Sequence, residues 1–150
     1  MTCEGDVAEQ LRRAGHKVTP QRLLIIRVLR HSGGHVSAAQ IAEQVRESYP
    51  FVDVSTVYRT LDVLKRLRLA TSTDMGGGDV LFEWAPEEPH HHLVCSGCGE
   101  VVEVAHGYLE ALEQSLVEDF GFAADLHHFA IFGLCRACQA AEQVPDADPA

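Results

Sequence analysis

Two pairs of cysteines have the spacing of a metal site. Cys95 and Cys98 form one C-x-x-C motif, and Cys135 and Cys138 form a second one, which begins 37 positions after Cys98. A C-x-x-C turn directs two sulfur atoms at one point, and two such turns complete a tetrahedral thiolate shell around Zn(II), with bonds of about 2.3 Å. The motifs therefore predict a structural zinc site that clips the intervening helix and strands into one unit.

Two other interpretations of the cysteines are weaker. A secreted disulfide framework requires a signal peptide, but residues 1–6 lead into a charged segment without an apolar core, which favours a reducing cytosol. A thioredoxin-like pair requires only one C-x-x-C. A thiol redox sensor that releases zinc on oxidation stays open as an alternative. Cys3 stands apart from both motifs and receives no role.

A run of three histidines, His90 to His92, directly precedes the first cysteine motif. His90 and His92 share a face of an extended segment, because alternate strand residues point to the same side. Such imidazoles with nearby carboxylates are typical ligands of divalent first-row metals. A zinc-dependent hydrolase that uses Glu83 or Glu103 as its general base is an alternative. It needs an open coordination position and a substrate pocket, and the sequence contains no H-E-x-x-H motif.

The charge of the chain is divided between its two halves. The net charge of the 150 residues is −10. Residues 1–70 hold eleven Lys/Arg and seven Asp/Glu, whereas residues 71–150 hold fifteen acidic residues and one basic residue, Arg136. A basic N-terminal half is attracted to phosphate, and an acidic half with histidines collects divalent cations. No apolar run could span a bilayer, so we expect a soluble, cytoplasmic protein without a membrane partner.

The N-terminal half shows consecutive helical patterns. Apolar spacing predicts a first helix over residues 6–15 and a second helix over residues 20–30, capped by Thr19. Ser37 begins a capping box for a third helix. A hairpin with strands at 70–74 and 80–84 around three glycines follows the helices and has the form of a wing.

A fourth helix, over residues 56–67 with Ser55 as its cap, is the expected DNA-reading element. Arg59 is suited to guanine or phosphate, and Tyr58 to thymine methyl groups. An ordinary amphipathic helix with solvated charges is the competing interpretation. The helix order, the hairpin and the charge division agree on a winged helix-turn-helix domain over residues 1–85.

The C-terminal part predicts a second domain. The two prolines within residues 86–89 indicate a hinge, and residues 90–150 form a small α/β dimerisation domain with the zinc site and a flexible C-terminal tail. Strands are predicted at 93–95, 101–104 and 129–132, with a helix over 108–120. A unit of this size is marginally stable alone, so we expect zinc and a second copy to stabilise it as a C2 homodimer that binds a palindromic operator. The predicted fold class is α+β.

Several motifs together resemble the ferric uptake regulator (Fur) family over residues 7–140. They are the histidine run, both C-x-x-C pairs, Lys17-Val-Thr-Pro-Gln-Arg22, His35-Val-Ser and Ser55-Thr-Val-Tyr-Arg59. The resemblance implies a bacterial, dimeric, non-enzymatic repressor without an organic substrate. In that family a divalent metal at the hinge draws the DNA-binding domains onto double-stranded operator DNA.

The resemblance also implies site residues. The structural zinc falls on Cys95, Cys98, Cys135 and Cys138. The regulatory metal falls on His35, Glu83, His90, His92 and Glu103. A third metal site falls on His91, Glu110 and His127, but Pro89 occupies the position of a further ligand, and His128 adjoins the set. The DNA-binding residues are Lys17, Arg22, Ser55, Thr56, Tyr58 and Arg59. His16, His31 and His106 are expected to be solvated.

The identity of the regulatory metal is less constrained. Fe(II) is the expected metal, with Mn(II), Ni(II) or Zn(II) as alternatives, because imidazole and carboxylate ligands suit all four. Zinc-sensing members often place a thiolate in the site, and no cysteine lies near Glu83. Peroxide-sensing members tend to use aspartates where Glu83 and Glu103 stand. Nickel-sensing members have a sequence similar to residues 128–133. Some of them also carry histidines just after the DNA-reading helix, at positions that Ser72 and Asp74 occupy in this chain.

Overall fold

The computed structural model describes residues 4–85, 88–126 and 128–142. The chain divides into two compact units, Met1–Pro86 and Glu87–Ala150, here called unit 1 and unit 2. Part of the predicted hinge, the predicted flexible tail after residue 142, Cys3 and His127 lie outside the described residues. Within the described residues, no helix has both the length and the apolar character needed to cross a membrane.

Unit 1 begins with four helices, of which two carry the caps that the sequence predicts. The helices are α1 (Glu4–Arg13), α2 (Pro20–His31), α3 (Ala38–Arg46) and α4 (Val54–Arg66). The Thr19 hydroxyl accepts a hydrogen bond from the Arg22 amide at the start of α2. Ser37 and Gln40 form the predicted capping box of α3. The caps satisfy amide groups that a helix start otherwise leaves without partners.

The cap of α4 is Asp53, and the prediction of Ser55 is wrong. The Asp53 carboxylate accepts a hydrogen bond from the Ser55 amide at 2.9 Å, so the helix begins at Val54. Asp and Ser are about equally good caps, and the pattern offered both, two positions apart. The bonds from Ser55 hold the pKa of Asp53 below its ordinary value, and Arg59 adds a smaller attraction.

The wing of unit 1 is a three-stranded sheet. Its strands are β1 (Val36–Ser37), β2 (Ala70–Asp74) and β3 (Val80–Trp84), in the order β1-β3-β2. The two hairpin strands are confirmed as predicted. The two-residue strand β1 was not predicted, because so short a segment has no detectable alternation. Its antiparallel register pairs Val36 with Phe82. The next residues on the same side of this pair, His35 and Glu83, therefore lie opposite one another.

The core of unit 1 fixes the direction of α4. Val57, Leu61 and Leu64 are fully buried in a core cluster that also contains residues of α1, α2 and α3. Because these three residues occupy one face of the helix, the opposite face points to water. Tyr58 and Arg59 are exposed on that opposite face.

The described residues of unit 2 form a small sheet, two α-helices and a short 3-10 helix, His106–Tyr108. The strands and α-helices are β4 (His90–Cys95), β5 (Val101–Ala105), α5 (Glu110–Phe120), β6 (Ala130–Gly133) and α6 (Arg136–Glu142). The strand order is β5-β4-β6, with β4 antiparallel to β5 and parallel to β6. Strand β4 begins earlier than predicted because the histidines belong to it. Helix α6 was not predicted, since its seven residues are too few for a periodic pattern. The mixed helix and sheet content confirms the α+β class.

Candidate functional site

The four cysteines of the two C-x-x-C motifs converge in unit 2. Cys95 ends β4, Cys98 lies in the following turn, and Cys135 and Cys138 lie at the start of α6. The four Sγ atoms all lie within 4.8 Å of one another, and those of Cys98 and Cys135 are 3.8 Å apart. A tetrahedron with Zn–S bonds of about 2.3 Å has edges of about 3.8 Å. All four are free thiols, and together they fit a structural zinc ion.

The electrostatics of this cluster favour a cation at its centre. The backbone N–H of Cys135 donates to the Cys95 sulfur, and with the amides of Cys98 and Gly97 it lowers the pKa of Cys95 to about 6. Hydrogen bonding to the sulfurs of Cys95, Cys135 and Cys98 raises the pKa of Cys138 to about 12. The Cys138 thiol therefore loses its proton most readily when a metal ion binds in place of that proton. Zinc requires this, because its cysteine ligands are thiolates.

Gly97, inside the first C-x-x-C turn, gives a direct test of the packing around the sulfurs. A Cβ at this position would lie 2.9 Å from the Cys138 Sγ and 3.2 Å from its Cβ. We expect Gly97→Ala to displace Cys138 and to weaken zinc binding by about 10-fold to 100-fold, measured as zinc transfer to a chelator. Ser96→Ala, at the exposed neighbouring position, is the matched control. Equal zinc retention in both variants would argue against Cys138 as a ligand.

Three histidines form a second cluster in unit 2. His90 and His92 lie on one face of β4, with ring centroids 5.0 Å apart. His128 joins them, with centroid distances of 4.9 Å to each ring. The structure therefore places His128 beside His90 and His92, whereas the sequence placed it next to the third site. Glu103 of β5 pairs directly with His92 in the register and lies on the same face of the sheet.

Unit 1 contributes a separate pair of candidate ligands. His35 precedes β1 and Glu83 lies in β3, and the His35 Nε2 is 3.6 Å from the Glu83 Oε2. Their side chains are 16% and 17% exposed. A pair of this type, partly shielded from water, offers one imidazole nitrogen and one carboxylate to a divalent cation.

His91, a residue of the third predicted site, contacts a histidine that the sequence analysis did not assign to that site. His91 is fully buried, and its Nε2 lies 2.9 Å from the Nδ1 of His106. The His106 Nε2 lies 3.2 Å from the Glu113 Oε2, so the prediction of a solvated His106 is wrong. Glu110 is exposed at the start of α5, and His127 lies outside the described residues. The contact between His91 and His106 follows from the β4–β5 register, which pairs His90 with Ala105, and no local sequence pattern predicted that register.

The exposed face of α4 presents the predicted DNA contacts. The Arg59 Nη2 donates to the Ser55 Oγ at 3.0 Å, which holds the guanidinium along the helix. The Tyr58 ring packs edge-on against Phe82 of the wing, with centroids 6.1 Å apart, and remains 45% exposed. Among the other predicted contacts, Ser55 and Lys17 are exposed, and Thr56 and Arg22 are half-buried.

Arg22, one of the predicted DNA contacts, also bonds to the backbone of its own unit. Its guanidinium donates a hydrogen bond to the backbone carbonyl of Lys17. This bond ties the segment before α2 to the first turn of the helix. This contact gives Arg22 a structural role besides any contact with phosphate.

Known proteins resemble this chain in sequence. Residues 13–132 match the sequence model of the ferric uptake regulator family. A ferric uptake regulation protein of Bacillus subtilis (strain 168) is 34% identical over 140 residues, which cover 91% of this chain and 94% of that protein. The peroxide-responsive repressor PerR of Staphylococcus epidermidis (strain ATCC 12228 / FDA PCI 1200) is 30% identical over 129 residues, which cover 86% of this chain and 85% of that protein.

A solved structure shows the same architecture. The ferric uptake regulator Fur of Helicobacter pylori superposes with a TM-score of 0.69 and 25% identity, covering 92% of this chain and 95% of that one. Its structure is described as revealing three functional metal-binding sites. The match over most of the chain, together with the four-cysteine and histidine clusters, establishes the relationship: the chain belongs to the ferric uptake regulator family of metal-responsive transcription regulators.

Proposed function

We propose that this protein is a metal-dependent repressor whose regulatory ion is shared by both units. The observation that carries the proposal is the pair of ligand sets, His35 with Glu83 in unit 1 and His90 with His92 in unit 2. Glu103, beside His92 in the register, is the fifth proposed ligand. An ion that bonds to both sets stabilises only the arrangements in which the sets meet, so metal binding shifts the population toward one arrangement.

Contacts inside unit 1 support a route from the metal to the DNA-reading helix. His35 and Glu83 each adjoin one member of the pair Val36 and Phe82. The Phe82 ring is buried and contacts Tyr58 of α4. A change in the backbone at the metal ligands therefore reaches α4 through one cross-strand pair and one ring contact. In this proposal, the metal adjusts α4 as well as the placement of unit 1.

The proposed effector is Fe(II). Glu83 and Glu103 supply carboxylates, which Fe(II) and Mn(II) accept readily, and the histidines supply imidazoles. Ni(II) and Zn(II) can use the same ligands and bind more tightly in the Irving–Williams order, so the metal that is available in the cell decides occupancy. The relatives named as ferric uptake regulation proteins support Fe(II).

The proposed assembly is a C2 homodimer formed through unit 2, acting in the cytoplasm on duplex DNA. One face of the sheet of unit 2 leaves three neighbouring apolar side chains exposed: Leu93 and its register partners Val102 and Ile131. An apolar surface of this kind is characteristic of an interface, and a second copy would cover it symmetrically. The dimer presents two α4 helices, which suits a palindromic operator.

Arg59 tests the DNA interface. We expect Arg59→Ala to weaken operator binding by about 10-fold to 100-fold, because it removes either a bidentate guanine contact or a phosphate contact. Fluorescence anisotropy at several salt concentrations measures the effect, and loss of a phosphate contact also reduces the salt slope by about 1. Arg13→Ala is the control, since Arg13 lies at the exposed end of α1 and pairs with Glu9. Unchanged affinity in Arg59→Ala would remove α4 from the interface.

A further inference from the structure

We propose that His128 is a ligand of the regulatory metal, so that unit 2 holds a three-imidazole site with His90 and His92. This rests on the proposed metal role of His90 and His92 and goes beyond it in two respects. It adds a ligand that the family motifs did not supply, and it gives unit 2 metal affinity of its own, without His35 or Glu83. Three imidazoles suit borderline cations such as Co(II), Ni(II) and Zn(II).

The sheet topology brings His128 to this position. Strand β6 runs parallel to β4, and their register pairs His92 with Ala130. The His92 amide donates to the carbonyl of Phe129 at 3.1 Å, which extends the pairing one residue before β6. His128 therefore lies beside the start of β4. Its neighbourhood with His90 and His92 is fixed by backbone hydrogen bonds between two strands.

The ring geometry is that of converging ligands. The three imidazole planes are nearly perpendicular to one another, with interplanar angles of 88°, 89° and 82°. One nitrogen of each ring lies within 4.8 Å of a nitrogen of each other ring. The Nε2 atoms of His92 and His128 are 3.4 Å apart, which is long for a hydrogen bond. This distance matches the separation of about 3.4 Å between two nitrogen ligands in a tetrahedral site with metal–nitrogen bonds of about 2.05 Å.

A hydrogen bond already orients His128 for this role. Its Nδ1 lies 3.1 Å from the backbone carbonyl oxygen of His90, and a carbonyl can only accept. Nδ1 therefore carries a proton, and in the neutral ring the lone pair is on Nε2, the nitrogen nearest to the Nε2 of His92. Ligating histidines almost always use their second nitrogen in this way, because the bond fixes both the tautomer and the ring.

The burial of the cluster also favours a metal ion. His92 is 1% exposed, and His90 and His128 are half-buried. Shielding from water excludes solvent from part of the coordination sphere, which leaves those positions to protein side chains. Co(II) accepts the same imidazole ligands and is therefore a useful spectroscopic substitute.

Titration with Co(II) of the full-length, zinc-loaded protein tests the site. The variants are His128→Gln, the double variant His35→Ala with Glu83→Gln, and His31→Gln as the control, since His31 is exposed on α2. Visible absorption reports coordination, equilibrium dialysis reports affinity, and the absence of intense sulfur-to-cobalt bands shows that the cysteine cluster retains zinc. DNA binding is followed in parallel with the same samples.

We expect the double variant to retain Co(II) and to lose metal-dependent DNA binding. We expect His128→Gln to lower Co(II) affinity by about 10-fold to 100-fold and to change the band intensities, while His31→Gln changes neither. Unchanged affinity and spectrum in His128→Gln, or complete loss of Co(II) in the double variant, would overturn the three-imidazole site. Co(II) binding that depends on His128 but never alters DNA affinity would support this site and overturn the proposed regulation.

Discussion

Cys95→Ser is expected to release the structural zinc and to unfold unit 2. Cys95 is the buried member of the cluster, and its sulfur accepts the backbone N–H of Cys135, so its removal leaves three thiols around an open position. Structural zinc contributes about 10–16 kcal/mol to small metal-binding domains, comparable to the whole stability of a domain at about 5–15 kcal/mol. Few apolar side chains of unit 2 are buried, the main ones being Val94, Cys95 and Leu109.

Zinc analysis, circular dichroism and sedimentation measure the consequences of this substitution. We expect the zinc content to fall from one ion per chain to none, the β signal of unit 2 to disappear and the protein to become monomeric. Unit 1 should keep its helices, because its core cluster lies entirely within residues 7–84. Cys3→Ser is the control, as Cys3 belongs to neither C-x-x-C motif. A zinc-free Cys95→Ser protein that remains folded and dimeric would contradict a structural role for the metal.

Glu83→Gln is expected to abolish the effect of the regulatory metal on DNA binding while the structural zinc remains. The Glu83 carboxylate lies 3.6 Å from the His35 imidazole. The substitution keeps the size of this side chain but removes the negative charge that a divalent cation would neutralise. Typical coupling between an effector and a ligand is 5-fold to 150-fold, and we expect this whole factor to be lost. Metal-dependent anisotropy of labelled duplex DNA measures it, with zinc analysis on the same samples.

Glu43→Gln is the matched control for this prediction. Glu43 is an exposed carboxylate on α3 of the same unit. Its substitution changes the net charge equally, so any general weakening of DNA binding by charge is measured separately. Full metal activation in Glu83→Gln would place the regulatory ion elsewhere.

The sequence predicted most of unit 1 because its signals are local. Thr19 and Ser37 are caps with short-range hydrogen bonds, and the stripe from Val57 to Leu64 has helical period. The same local reasoning failed at Asp53, where two acceptable caps compete, and at β1, whose pairing depends on a strand more than forty residues away.

The site in unit 2 shows what local patterns cannot provide. The cysteine spacing predicted the zinc cluster, because each C-x-x-C motif is itself a local unit. The contacts of His128 with His92 and of His106 with His91 depend on the pairing of β4 with β6 and β5. Neither pairing follows from periodicity, since the order and direction of strands are properties of the whole sheet.

The most direct test of metal-dependent repression is DNA binding by the zinc-loaded, effector-free protein. Duplexes would first be selected from a random-sequence pool in the presence of metal. The selected duplex would then be titrated with protein, without oxygen, at buffered free Fe(II), Mn(II), Ni(II) or Zn(II). We predict that at least one metal raises DNA affinity by 5-fold or more at one ion per chain beyond the zinc. Selection of no duplex, or equal affinity with and without every metal, would contradict the account.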